Sequence, residues 1–228
     1  FDFTFVGLLG LADPVRPQVP TAIAECRAAG IRVVMITGDY PATAQAIARQ
    51  AGLAESAAAV LSGDEMATLS DTALRERMAN VSVCARIAPE QKLRIVQALK
   101  ARGDIVAMTG DGVNDAPALR AAHVGVAMGQ RGTDVARESA SLVLVDDDFA
   151  AIVRAVRLGR RIFDNLRKAM CFVLAVHVPI AGLTLVPLLL GWPLLLTPMH
   201  IAFLEIVIDP VGSIVFEAEE AEGDVMSR

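Results

Sequence analysis

Residues 109–119 read Thr109-Gly110-Asp111-Gly112-Val113-Asn114-Asp115-Ala116-Pro117-Ala118-Leu119, directly after the apolar run Ile105–Met108. The run has the length and composition of a short buried strand, and Pro117 sits where the first turn of a helix tolerates proline. Strand, polar turn and helix therefore follow one another within fifteen residues. The same unit recurs along the chain. Ile31–Ile36 leads into Thr37-Gly38-Asp39 and a helix over Pro41–Ala51 closed by Gly52; Val81–Ala85 leads into Arg86 and a helix over Pro89–Ala101. Phe5–Leu11, Val124–Ala127 and Leu142–Val145 supply further strands, and Pro17–Ala29 a helix ended by Gly30. This rhythm predicts an α/β fold, a doubly wound parallel sheet with helices on both faces. Ligands of such sheets sit at the carboxyl ends of the strands.

Three of those ends carry polar loops with complementary chemistry. Thr37 and the N–H of Gly38 offer hydrogen bonds to anionic oxygens at a helix N-terminus. Lys92, in Ala85-Arg86-Ile87-Ala88-Pro89-Glu90-Gln91-Lys92, offers a flexible point charge suited to a transferring phosphoryl group. Asp111 offers hard oxygen of the kind Mg²⁺ takes together with phosphate and water. Gly110 and Gly112 let the backbone bend close to the site. Asn114 and Asp115 can orient the metal's waters or cap the following helix. Together these are the parts of a phosphoryl-transfer site without its nucleophile.

The eleven-residue stretch, with Thr-Gly-Asp upstream, Ala-Arg-x-x-Pro-x-x-Lys between them and Asp13-Pro14-Val15-Arg16-Pro17 near the start, resembles the P-type ATPases over essentially all 228 residues. The resemblance implies a haloacid-dehalogenase-like phosphorylation domain. It implies that Asp111 binds the catalytic Mg²⁺ with Asn114 and Asp115 in support, and that Thr37 and Lys92 contact the transferred phosphoryl. Gly38, Asp39 and Arg86 would lie near the phosphates of ATP, and Asp13 near the hinge to a nucleotide-binding domain. The family phosphorylates an aspartate in a DKTGT motif, and no DKT occurs in this sequence. The actuator domain, the nucleotide-binding domain and the first four spans are likewise outside it. The expectation is a fragment of a pump that forms no phosphoenzyme by itself. Alternatives are a membrane-anchored phosphatase of the same superfamily, which would need a DxD nucleophile after an early strand, and a truncated, non-catalytic remnant.

Charge and hydropathy divide the chain. It carries a net charge of −5 and 54% hydrophobic residues; its mild acidity and lack of a basic run exclude a nucleic-acid partner. Charged and apolar residues mix up to Lys168, whereas between Ala169 and Phe216 there is no Lys or Arg and the acids are Glu205 and Asp209. The expected organisation is the C-terminal part of a phosphorylation domain over 1–148, a stalk helix over 149–168, transmembrane helices over 169–190 and 198–216, and an acidic cytoplasmic tail over 217–228. The second span, with Thr197 as N-cap before Pro198, covers about 28 Å, close to the ~30 Å of hydrocarbon. Arg160, Arg161, Arg167 and Lys168 before the first span place both ends in the cytoplasm, with membrane lipid as partner and a bacterial plasma membrane as the expected location. The N-terminus lacks the basic region of a signal peptide. Cys26, Cys84 and Cys171 have no metal-binding spacing and read as reduced packing residues.

Glu205 and Asp209 lie one turn apart on one face of the second span. A carboxylate at mid-membrane costs roughly 2.5–3.5 kcal/mol on insertion scales, so the pair calls for a compensating cation. Pro210 disfavours helix at Asp209 and predicts an interrupted helix with free carbonyls, as transporters use at ion sites. By the resemblance, Asp209 matches a common cation ligand of the sixth span, and His177 falls where calcium-pump-like members carry Asn on the fifth. Ile180 replaces a glutamate of the calcium pumps, which leaves the transported cation open among calcium, other divalent metals and monovalent ions.

Overall fold

The computed structural model describes residues 3–7, 9–10, 13–53 and 60–227. It divides into two compact units, 1–153 and 154–228.

In the first unit the order is α1 (Val19–Ala28), β1 (Met35–Ile36), α2 (Pro41–Gln50), β2 (Val60–Ser62), α3 (Gly63–Thr68), α4 (Asp71–Arg77), β3 (Val83–Ala85), α5 (Pro89–Ala101), β4 (Ala107–Gly110), a 3-10 turn (Val113–Asp115), α6 (Ala116–Ala121), β5 (Val124–Met128), α7 (Asp134–Ser139) and β6 (Leu142–Leu144). Every strand pairing is parallel, as the alternation of strands and helices requires. The strands form two three-stranded sheets, ordered β1-β3-β2 and β4-β5-β6, rather than one continuous sheet. β1 is shorter than the apolar run suggested because β3 offers partners only to Met35 and Ile36. Of the expected strand Phe5–Leu11, Leu8 and Leu11 lie outside the described residues, and the described remainder is in no strand.

Helix α5 decides where the site sits. Pro89 opens it, and the Gln91 side chain accepts from the Ala88 N–H at 2.9 Å. Ile95, Val96 and Leu99 are buried in the main core with Leu61, Met66 and Cys84. Each such side chain contributes roughly 1.5–3 kcal/mol on full burial. Lys92 stands three and four residues before Ile95 and Val96, so it shares their face one turn nearer the strand ends. Burial pushes the Cys84 thiol up to about 12, which keeps it an inert packing group. Cys26 is also buried, whereas Cys171 is exposed on the long helix of the second unit and packs in no core.

Helix α8 runs unbroken over Phe149–Leu190 and α9 over Pro198–Ala218. Both are long and apolar enough to cross a membrane, with mean hydropathies of 2.2 and 1.7 over their most apolar windows. α8 ends at Gly191, whose φ of +69° is left-handed, and the Trp192 N–H closes the end on the Pro187 carbonyl at 2.8 Å. The interruption expected at Pro210 is not observed, since α9 continues through it. A proline removes one N–H and so frees the carbonyl of Ile206, but a span tolerates this without unwinding. The acidic tail is not loose either. Within the second unit, residues after α9 fold onto α8: Lys168 Nζ meets Glu219 at 2.6 Å and Glu222 at 2.7 Å, Arg160 donates to the Val225 carbonyl at 3.1 Å, and Val225 is buried.

Candidate phosphate and cation sites

The loops after β1 and β3 are laced together beyond the last strand residues. Thr37 N–H donates to the Cys84 carbonyl at 2.9 Å, Arg86 N–H to Asp39 at 2.9 Å and Ile87 N–H to Thr37 at 3.1 Å. The Thr37 hydroxyl donates to the Asp39 carboxylate at 2.9 Å and accepts from the Asp39 N–H at 3.1 Å. Thr37, Asp39 and Arg86 are thus one cluster, with exposed Gly38 between the first two. Arg86 has a φ of +55°, a costly conformation for a residue with a side chain. Its guanidinium carbon lies 4.5 Å from the centre of the Tyr40 ring. Sequence reading passed over Tyr40; the available signal was that the only tyrosine of the chain directly follows Thr-Gly-Asp.

The second cluster gathers around the turn after β4. Lys92 Nζ donates to Asp115 Oδ1 at 2.6 Å. Asp115 Oδ2 accepts from the N–H groups of Asp111 (3.3 Å) and Gly112 (3.2 Å), so this buried carboxylate folds back onto its own turn instead of capping α6. Gly110 makes that possible, since a Cβ there would stand 2.5 Å from the Asp115 Cβ. The Asp111 carbonyl accepts from Thr133 N–H at 2.8 Å, which ties the turn to the segment after β5. The carboxylate of Asp111 is exposed, as is Asn114, and finds no partner among the described residues. No hydrogen bond joins Thr37 to Lys92 or Asp111 among the described residues.

These donors fit magnesium in one way. No three His, Cys, Asp or Glu side chains converge among the described residues. Mg²⁺ is content with one or two carboxylates plus phosphate and water. Asp111 has oxygens free for it, whereas those of Asp115 are committed to Lys92 and two N–H groups.

In the second unit, His177 Nε2 stands 3.2 Å from Glu205 Oε1, and His177 Nδ1 stands 2.8 Å from the Val173 carbonyl. A carbonyl only accepts, so in the tautomer that makes this hydrogen bond Nδ1 carries the hydrogen. Asp209 lies one turn on and lines a cleft of about 690 Å³ between α8 and α9 with Asn165, Phe172 and Glu217. His177 and Glu205 are brought together, and Asp209 is not joined to them by a hydrogen bond among the described residues.

Comparison with known proteins gives a consistent picture. Residues 1–123 match the haloacid dehalogenase-like hydrolase family. The chain is 47% identical over 227 residues to a calcium-transporting ATPase of Bacillus subtilis, matching all of this chain and 26% of that protein. It is 46% identical over 224 residues to calcium-transporting ATPase 1 of Bacillus cereus, matching 98% of this chain and 25% of that protein. A zinc-transporting PIB-type ATPase in an E2.Pi state aligns over 95% of this chain and 28% of its own, with 30% identity and a TM-score of 0.62. The chain thus spans about a quarter of the length of the relatives it matches.

Proposed function

The chain belongs to the haloacid dehalogenase-like hydrolase family, and from that premise we propose that it is the phosphate-handling and two-span part of an ATP-driven P-type cation pump. The observation that carries the reading is an exposed Asp111 carboxylate, without a partner among the described residues, beside a Lys92–Asp115 pair in a chain that also holds two membrane-length helices. Relatives named as calcium-transporting ATPases support it.

In this reading Asp111 holds Mg²⁺, which supplies charge neutralisation at the phosphoryl oxygens when bound. Asp115 fixes the Lys92 ammonium beside the turn that carries Asp111, where it meets developing negative charge without first reorganising. Asn114 orients water at the metal. The Thr37 hydroxyl has a single hydrogen, given to Asp39 in this structure, and rotates to donate it to a phosphoryl oxygen, alongside the N–H of Gly38. Arg86 and Asp39 face the phosphates of ATP. The nucleophile, the nucleotide-binding and actuator domains and the remaining spans come from the rest of the pump. In the membrane, Glu205, Asp209 and His177 contribute to the transported cation's site; the basic residues before the first span support a cytoplasmic phosphate site, and the proposed location is a bacterial plasma membrane. The unbroken α8 is the element through which the phosphorylation state is felt at His177.

The test is made in a complete pump carrying this segment. Mg²⁺-dependent, hydroxylamine-sensitive labelling from ATP should appear and be lost in Asp111→Asn, and Glu205→Gln should remove its dependence on the transported cation. Hydrolysis indifferent to every cation tested, with no phosphoenzyme, would instead support a membrane-anchored phosphatase. The 228-residue chain alone should not label at all.

A further inference from the structure

We infer that Tyr40 is a positioning residue for Arg86, its ring holding the guanidinium in place for the polyphosphate of a bound nucleotide. This rests on the reading that Arg86 faces the nucleotide phosphates, and adds what sets the side chain there.

Both backbones are fixed before any ligand arrives. Tyr40 precedes Pro41, which confines it to the extended region, and its φ of −61° and ψ of 147° comply. Its carbonyl accepts the first hydrogen bond of α2, from Ala44 N–H at 2.9 Å. Arg86 is held in its left-handed conformation by its own N–H on Asp39 and that of Ile87 on Thr37. Behind it, Gly63 packs so closely that a Cβ there would run into the Arg86 carbonyl, and Gln91 Nε2 donates to the Gly63 carbonyl at 2.9 Å. A strained backbone this firmly held is found where a side chain must be aimed.

What the backbone leaves free is the long Arg86 side chain, and the Tyr40 ring restrains it. At 4.5 Å the contact is well inside the range of a cation–π interaction. It occupies the flat face of the guanidinium. The edge, with its five N–H donors, pairs with no carboxylate among the described residues and stays open to anionic oxygens. An arginine already confined to one region loses less freedom on meeting a ligand than one free in solvent. Tyr40 is 66% exposed, so its replacement does not disturb a core.

The test uses a complete pump carrying this segment, in detergent with nitrogen-15 label, titrated in parallel with Mg·ADP and with Mg²⁺ plus inorganic phosphate. The Arg86 Nε–H resonance, assigned by its loss in Arg86→Lys, should be ring-current shifted in the native chain and in Tyr40→Phe, but not in Tyr40→Leu. Mg·ADP should move it. Tyr40→Leu should weaken Mg·ADP binding about two- to five-fold, the equivalent of one exposed cation–π contact, and Tyr40→Phe should restore native affinity. In the Arg86→Lys background, Tyr40→Leu should cost nothing further. Mg·ADP binding by Tyr40→Leu as tight as native or tighter overturns the inference, as does an Arg86 resonance that Mg·ADP leaves unmoved. If Mg²⁺ and phosphate shift Thr37 and Lys92 while neither ligand moves Arg86, the phosphate site stands and Tyr40's role fails. If none of the three responds to either ligand, both readings fail together.

Discussion

Lys92 and Asp115 stand 23 positions apart in the chain and 2.6 Å apart in space, one on the first turn of α5 and the other in the turn after β4. The Asp115 side chain is 7% exposed and that of Lys92 23%, so solvent screens the pair less than on an open surface. Its second oxygen holds the turn that carries Asp111. One carboxylate therefore sets both the cation and the loop of the proposed phosphate site.

Separating the partners should be costly in a characteristic way. Lys92→Met leaves Asp115 buried with one partner lost and should destabilise the first unit by roughly 1–3 kcal/mol. Adding Asp115→Asn to it removes the unpaired charge and should recover part of the loss. Denaturant unfolding of the two single variants and the double variant gives the coupling; strictly additive effects would show that the contact contributes nothing.

Two glycines beside the site should behave oppositely. At Gly63 a methyl group would overlap the Arg86 carbonyl and stand 2.8 Å from Gln91 Oε1. Gly63→Ala should therefore cost about 1–3 kcal/mol as strain in a packed region, and displace the Arg86 resonance. At Gly38 an added Cβ meets nothing within 4 Å and the backbone is not left-handed, so Gly38→Ala should change stability by no more than about 0.5 kcal/mol. A thermal shift of the same size in both variants would contradict the packing described around Arg86.

The sequence made some of this legible and hid the rest for identifiable reasons. Helix α5 was readable to the residue because Pro89 marks its start and an apolar face follows. β2 escaped notice because Val60–Ser62 is only three residues long and has no alternation of its own; its place comes from pairing with β3. Asp111, Lys92 and Asp115 stand out along the chain as candidates only, and nothing there says that Asp115 pairs with Lys92, since such a pairing depends on how α5 lies against β4. Likewise Pro210 announced a broken helix that the fold does not make, because losing one N–H does not unwind a long apolar span. The Tyr40–Arg86 contact was invisible for the same reason as the Lys92 pair, being a meeting of two loops.

The segment after α9 is held by charge. Lys168 contacts Glu219 and Glu222, and hydrogen bonds to both carboxylates raise its ammonium above the usual lysine value. Arg161 and Asn165 add hydrogen bonds to the Glu219 carbonyl at 2.9 and 3.1 Å. Lys168→Glu should repel the segment and speed proteolysis within residues 219–227. Combining it with Glu219→Lys and Glu222→Lys should restore protection, whereas unchanged cleavage in Lys168→Glu would show that the backbone contacts suffice. Raised salt should speed cleavage of the native chain but not of Lys168→Glu.

Asp147 gives a pH signature. Burial by itself would raise its carboxyl, but the N–H groups of Gln130 (3.0 Å) and Arg131 (2.9 Å), with that of Gly129 and the Arg131 charge nearby, bring it below its ordinary 3.8. Its own carbonyl accepts from Arg16 at 2.6 Å, so the residue ties the Asp-Pro-Val-Arg-Pro segment to the loop after β5. The unfolded chain takes up a proton at the ordinary carboxylate value and the folded chain only at lower pH. Over that interval the unfolded state binds more protons, so stability rises with pH. The contribution of the ionised group is complete above about pH 5 and fades as pH falls through the lowered folded value. Asp147→Asn is the appropriate comparison, because Asn tolerates the residue's φ of +50°. In urea unfolding between pH 3 and about pH 7, the native chain's advantage over Asp147→Asn should be largest near neutrality and shrink as pH drops below 3.8. A constant difference across that range would mean that the carboxylate's charge does not hold the loop.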